Sequence, residues 1–158
     1  QALGKNEGDA ITKDNLAELK ELKAENSKIS DLTGLEHSIN LSKLELQNNQ
    51  LSDISPLATL INLTRLYLKS NQLSDVSPLA NLTSLTTLWF YNNQLSDVGP
   101  LTNLTKLTRL YLHNNQITDV APLKESNNLT LLDLSNNKIP DAEKEMLRKA
   151  LPNCEIFF

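Results

Sequence analysis

Leucines in this chain follow two superimposed periods. Over a few residues they alternate with polar positions, and over longer stretches the whole pattern returns after 22 residues. The segment running from Leu41 through Leu44, Leu46 and Asn49 to Leu51 recurs as Leu63 to Leu73, Leu85 to Leu95, Leu107 to Ile117 and Leu129 to Ile139, without insertion. Upstream, Leu19, Leu22, Ala24, Ile29, Leu32 and Leu35 keep the same register, with Ser27 in place of the asparagine. Self-similarity at such a period is the signature of stacked units, none of which buries its apolar face alone. Six repeats are therefore expected, beginning at Leu19, Leu41, Leu63, Leu85, Leu107 and Leu129.

Each repeat divides into two halves. Around its second and third leucines the pattern alternates with period two, which predicts a short strand. Six such strands stacked in parallel at about 4.8 Å span a sheet roughly 24 Å wide. The second half reads Ser-Asp-Ile54-Ser-Pro56-Leu57, then the equivalents at Val76-Ser-Pro78, Val98-Gly-Pro100 and Val120-Ala-Pro122. A capping residue followed by proline at the first helical position predicts a short helical turn, with Leu57 and Leu60 pointing inward. The asparagines Asn49, Asn71, Asn93, Asn115 and Asn137 form a column expected to be buried. An amide in such a place must be paired, and its donors and acceptor suit it to tie the backbone as the chain leaves the strand.

At the ends the pattern changes. Thr12 can cap a helix, and Leu16, Leu19 and Leu22 carry helical spacing before the strand register takes over. Ala142, Met146, Leu147, Ala150 and Leu151 predict an amphipathic helix that closes the stack, as an open end would expose core. The expected organisation is one continuous domain: an N-terminal helical cap over 1–18, six repeats over 19–138 and a C-terminal helix and strand cap over 139–158.

Composition sharpens this picture. Leucine accounts for 33 and asparagine for 19 of 158 residues, with 4% aromatics and only four glycines, which excludes collagen-like and glycine-rich readings. A net charge of -4 argues against nucleic acid as the partner, because phosphate recognition needs a concentrated basic face. A single cysteine, Cys154, forms no internal disulfide and builds no thiolate metal site; a buried place in the C-terminal cap is expected for it. No apolar run is long enough to span a membrane, and Gln1 to Gly8 lack the apolar core of a signal peptide.

The consensus L-x-x-L-x-L-x-x-N-x-[LI]-[ST]-D-[IV]-x-P-L resembles the leucine-rich repeat family, and most of all the 22-residue repeats of bacterial internalins. The match extends over about residues 9 to 140, with Ile11 to Leu19 similar to that family's helical cap. The resemblance implies an α/β fold, a right-handed solenoid with its parallel sheet on the concave face, short helical segments on the convex face and caps at both ends. It also implies a secreted or surface-exposed bacterial protein that binds a host receptor through concave aromatics.

Candidate chemistry lies at three strand positions whose side chains point away from the core. The third position of the repeat reads Glu21, Lys43, Arg65, Thr87, Arg109, Leu131; the fifth Lys23, Glu45, Tyr67, Trp89, Tyr111, Asp133; the seventh Glu25, Gln47, Lys69, Tyr91, His113, Ser135. Every tyrosine and the sole tryptophan fall in three consecutive repeats. Arg65, Tyr67, Lys69, Trp89, Tyr91, Arg109, Tyr111 and His113 are thus the expected ligand-binding set, since aromatics with arginine are the usual make-up of binding hot spots. Cross-strand packing of aromatics for sheet stability is the plainer alternative.

Other signals carry less. The aspartates Asp31, Asp53, Asp75, Asp97 and Asp119 supply one carboxylate per repeat where calcium needs six or more oxygens, so local turn bonding is expected instead. His113, Ser135 and Asp133 lie close in register, but an open sheet supplies no oxyanion hole, and no enzyme activity is expected. His37 reads as a surface-loop residue. The sequons at Asn40, Asn62, Asn81, Asn103 and Asn128 follow from the repeat itself. The expectation is a monomeric, cofactor-free module that binds a protein ligand. An intracellular scaffold, a carbohydrate-binding module and a designed array are the alternatives.

Overall fold

A computed structural model describes residues 10–158. The part of the expected N-terminal cap that falls on residues 1–9 lies outside the described residues. Helix α1, Lys13–Ala17, is opened by Thr12, whose hydroxyl accepts from the Asn15 amide while the Asn15 side chain accepts from the Thr12 amide. It is shorter than the leucine spacing predicts. Leu22 belongs to the first strand, because pairing with the next rung competes successfully with one more helical turn.

Seven three-residue strands follow: β1 Glu21–Lys23, β2 Lys43–Glu45, β3 Arg65–Tyr67, β4 Thr87–Trp89, β5 Arg109–Tyr111, β6 Leu131–Asp133 and β7 Glu155–Phe157. They form one parallel sheet in chain order. Leu22, Leu44, Leu66, Leu88, Leu110, Leu132 and Ile156 stand opposite one another along it. From Leu44 to Leu132 these central leucines are wholly shut off from solvent. Their flanking residues point to the other side, so three residues suffice to present two outward side chains per rung.

Between strands the chain makes single 3-10 turns at Leu35–His37, Ser55–Thr59, Ser77–Leu79, Gly99–Leu101 and Ala121–Leu123. In the last four the proline occupies the second position rather than the first, and the residue before each turn is Ile54, Val76, Val98 or Val120, which cannot cap through its side chain. The aspartate just before it takes over. Asp53 Oδ1 accepts from the Ser55 amide, as Asp75 does from Ser77, Asp97 from Gly99 and Asp119 from Ala121, all at 2.7–2.8 Å. In the first turn Asp31 accepts likewise from Thr33, and Gly34 replaces the proline at φ 97°, where a side chain is strained. His37 lies within this turn rather than in a loop, half-buried beside Glu36.

Three polar columns bind rung to rung. Asn93 shows the first: its Nδ2 donates to the carbonyls of Phe90 on its own rung and Leu68 on the preceding one, both at 3.0 Å, and its Oδ1 accepts from the Leu73 amide. Asn49, Asn71, Asn115 and Asn137 repeat this pattern. Only Asn49 and Asn115 are fully buried; the other three are half-buried at the edge of the core. The second column is made of hydroxyls at Ser42, Thr64, Thr86, Thr108 and Thr130, each donating to a carbonyl one rung back. The third lies beside the first. Asn48, Asn92, Asn114 and Asn136 take φ of 54–56° and donate to the side chain of the rung before, with Ser70 breaking the series.

Inside lies one continuous aliphatic core, with Phe90 its largest fully buried side chain. Helix α2, Asp141–Ala150, closes the far end. Leu147 and Leu151 are buried and Met146 and Ala150 half-buried, but Ala142 is exposed, while Glu143 in the same first turn accepts from the Val120 amide. The chain then returns as β7 to pair with β6.

Candidate functional site

The outward side chains of β3, β4 and β5, with the residues two positions beyond their ends, make a contiguous aromatic patch. The parallel register sets Tyr67 opposite Trp89 and Trp89 opposite Tyr111. Trp89 meets Tyr67 edge to face at 4.7 Å between ring centres and Tyr111 in the same manner at 5.6 Å. Tyr91 lies 6.1 Å from Trp89 at a tilt and stacks on His113 at 4.1 Å. All five rings are half-buried, so each keeps part of its surface open to solvent.

The charged side chains around the patch fall into two kinds. Some are already engaged. Lys43 Nζ lies 2.6 Å from Glu45 and 5.8 Å from the Tyr67 ring, and Lys23 approaches Glu45 from the other side at 3.5 Å. The bond from Lys43 holds the Glu45 carboxyl below the usual range, and the same bond raises the Lys43 ammonium. Lys69 Nζ sits 5.4 Å over the Tyr91 ring, a cation–π contact. His113 Nδ1 lies 2.9 Å from Asp133 Oδ2, at ion-pair distance though not aligned for a hydrogen bond. Arg65 and Arg109, by contrast, are exposed, and among the described residues neither guanidinium has an ion-pair or hydrogen-bond partner.

Two outward positions differ from expectation. Thr87, between the two arginines, is 9% exposed, and Gln47 is 8% exposed. Gln47 Nε2 donates to Glu25 and Glu45, while its Oε1 is buried without a partner. Thr87 is short beside its long neighbours, and Gln47 is drawn in by its bonds to the two glutamates.

The arrangement supports no catalytic constellation. Ser135 Oγ donates to Asp133 Oδ1 at 2.7 Å, so the hydroxyl is spent on that carboxylate rather than offered to His113. Among the described residues no group of His, Cys, Asp and Glu is placed to hold a metal ion. Cys154 is half-buried rather than buried, and desolvation pushes its thiol up to about 11, away from nucleophilic use. Two depressions, of about 430 Å³ between α1 and the first rungs and about 250 Å³ beside α2, include none of the aromatic patch. No helix among the described residues is long and apolar enough to cross a membrane.

Comparison with known proteins agrees with this architecture. A family model for leucine-rich repeats in tandem matches residues 39–81 and 83–125, and a single-repeat model matches 128–154. Among solved structures, an internalin C2 from Listeria monocytogenes is 33% identical at a TM-score of 0.71, covering 98% of this chain and 77% of its own. A second Listeria monocytogenes internalin is 31% identical at 0.72, covering 94% of this chain. A leucine-rich repeat protein of Leptospira interrogans is 26% identical at 0.67 over 83% of this chain. The chain spans half the length of the second internalin and 40% of the Leptospira protein. No curated protein sequence matches.

Proposed function

Since the chain belongs to the leucine-rich repeat family and is of the bacterial internalin type, a fold that typically serves protein interaction, we propose that it binds a protein ligand, without catalysis, on the aromatic face of β3 to β5. The observation that carries this reading is the cluster itself. Tyr67, Trp89, Tyr91 and Tyr111 meet on one face of the sheet and still keep solvent-facing area. Strands tied together by amide and hydroxyl columns hold the rings in place, so little side-chain freedom is lost when a partner docks.

The same resemblance supports a secreted or surface-exposed bacterial protein that acts on a host surface through a concave face. A carbohydrate platform is less well supported. The rings of Trp89, Tyr67 and Tyr111 meet at 71–84°, so they do not lie side by side as one flat shelf for a sugar.

The test uses the double variant Tyr67→Ala/Trp89→Ala against a protein captured from host-cell surface extracts by the wild-type chain. Affinity is expected to fall at least about tenfold. A loss below threefold with the fold intact by circular dichroism rejects the aromatic face as the binding surface.

A further inference from the structure

The third position of the repeat places Arg65, Thr87 and Arg109 on consecutive rungs. The two arginine Cα atoms are therefore two strand spacings apart, about 10 Å. Thr87 between them is short and sunk, at 9% exposure, so the middle rung stands lower than its neighbours. Trp89 lies two residues further along the same strand, on the same face as the resulting notch.

The charge balance around the notch is uneven. The nearby carboxylates of the face are committed elsewhere: Glu45 to Lys43 and Lys23, Asp133 to His113 and its own turn. Among the described residues Arg65 and Arg109 have no such partner, and they stand in a chain whose net charge is -4. Two unpaired guanidinium groups two rungs apart on one face make a site for planar anions, because each can donate a forked pair of hydrogen bonds to a carboxylate.

We infer that the partner surface read by this face is acidic: an Asp or Glu side chain enters the notch over Thr87 between Arg65 and Arg109, while a large apolar neighbour packs on Trp89. This rests on the binding reading above and adds to it the chemistry of the partner. The apolar contact supplies most of the affinity, and the arginines select for the acid and speed encounter.

The experiment pans a phage-displayed library of random peptides about a dozen residues long on the intact chain, and measures the selected synthetic peptides by calorimetry. Peptides carrying Asp or Glu within a few residues of a large apolar side chain are expected. Their affinity should drop about tenfold in R65Q/R109Q and weaken steeply with salt, while K106Q/K124Q, which removes the same charge away from the patch, leaves it unchanged. Binders without an acidic excess, or an R65Q/R109Q variant that binds as wild type, overturn the inference. Should such peptides still lose affinity in Tyr67→Ala/Trp89→Ala, the aromatic reading survives and only the arginine notch fails. A library that returns no binder, or binders indifferent to both variants, overturns both.

Discussion

Trp89 and Phe90 are consecutive in the chain and serve opposite sides of the sheet. Trp89 stands between Tyr67 and Tyr111 on the outer face, and Phe90 is wholly enclosed within the aliphatic core. The alternation of a strand puts one residue at the disposal of a ligand and the next at the disposal of the fold. The two should therefore separate cleanly on substitution. Phe90→Ala leaves a cavity among leucines and is expected to lower stability by about 3–5 kcal/mol. Trp89→Ala loses three ring contacts and partial burial, about 1–2 kcal/mol. Urea denaturation of the two variants reads the difference; equal losses would mean that Trp89 is a core residue in practice.

Asn93 satisfies backbone groups on two rungs at once. Replacing it with Ala strands the Leu73 amide, whereas the Phe90 and Leu68 carbonyls keep the side chains of Asn115 and Asn71 as donors. Replacing it with Asp keeps the acceptor but removes both donors. Since an unsatisfied buried group costs about 1–3 kcal/mol, Asn93→Ala is expected to lose that much through the one stranded amide. Asn93→Asp should be no better tolerated. Hydrogen exchange at Leu73 reports the loss locally: its amide should exchange faster in Asn93→Ala and remain slow in Asn93→Asp.

Ser70 occupies a left-handed backbone position that asparagine takes in the rungs on either side. It accepts from Asn92, but no hydrogen bond joins it to Asn48. Ser70→Asn supplies a residue better suited to φ near 55° and the missing link in the amide ladder. A gain of about 0.5 kcal/mol, seen as a higher melting temperature, is the expected result. A lower melting temperature would show that the ladder contributes nothing there.

Acid should weaken the fold through the turn aspartates. The side chains of Thr33, Ser55 and Ser77, followed by their amides, hold Asp31, Asp53 and Asp75 below the ordinary aspartate value. A folded value below the unfolded one, about 3.9, means the stabilisation is complete above that pH and is lost as pH falls through the folded value. The triple variant Thr33→Val/Ser55→Ala/Ser77→Ala should therefore show a shallower fall in urea midpoint between about pH 5 and pH 2. An unchanged slope would assign the acid sensitivity to other carboxylates, with Glu45 the first to examine.

How much of this could be read from the residues varies by column. The leucine alternation and the 22-residue return place each rung's Leu44-type residue inside and its Glu45-type residue outside. The strands fall there because period two leaves no other way to bury the leucines. The aromatic grouping was legible for the same reason: parallel register brings residues 22 apart side by side. Burial of polar residues was not. Asn71 and Asn49 belong to one column yet differ in exposure, and Gln47 sinks where its neighbours do not, because it bonds to glutamates on its own and the preceding rung. The free arginines were also hidden. Arg65 and Arg109 carry the same charge as Lys43 in the same column, and only the geometry shows that Lys43 is bound to Glu45 and they are not. The hydroxyl column at Ser42, Thr64, Thr86, Thr108 and Thr130 left a visible trace in the sequence, a Ser or Thr every 22 residues, that only its bonding explains.

Because every rung offers its successor the same amide, hydroxyl and backbone contacts, copying or excising one 22-residue window in the DNA yields a chain that meets itself correctly at the new seam. The interior is indifferent to which copy is duplicated, whereas the outer face is not. Such a gene can lengthen its reading surface by recombination alone, carrying a ready-made aromatic or arginine along with each added step, and then diverge there without renegotiating the inside.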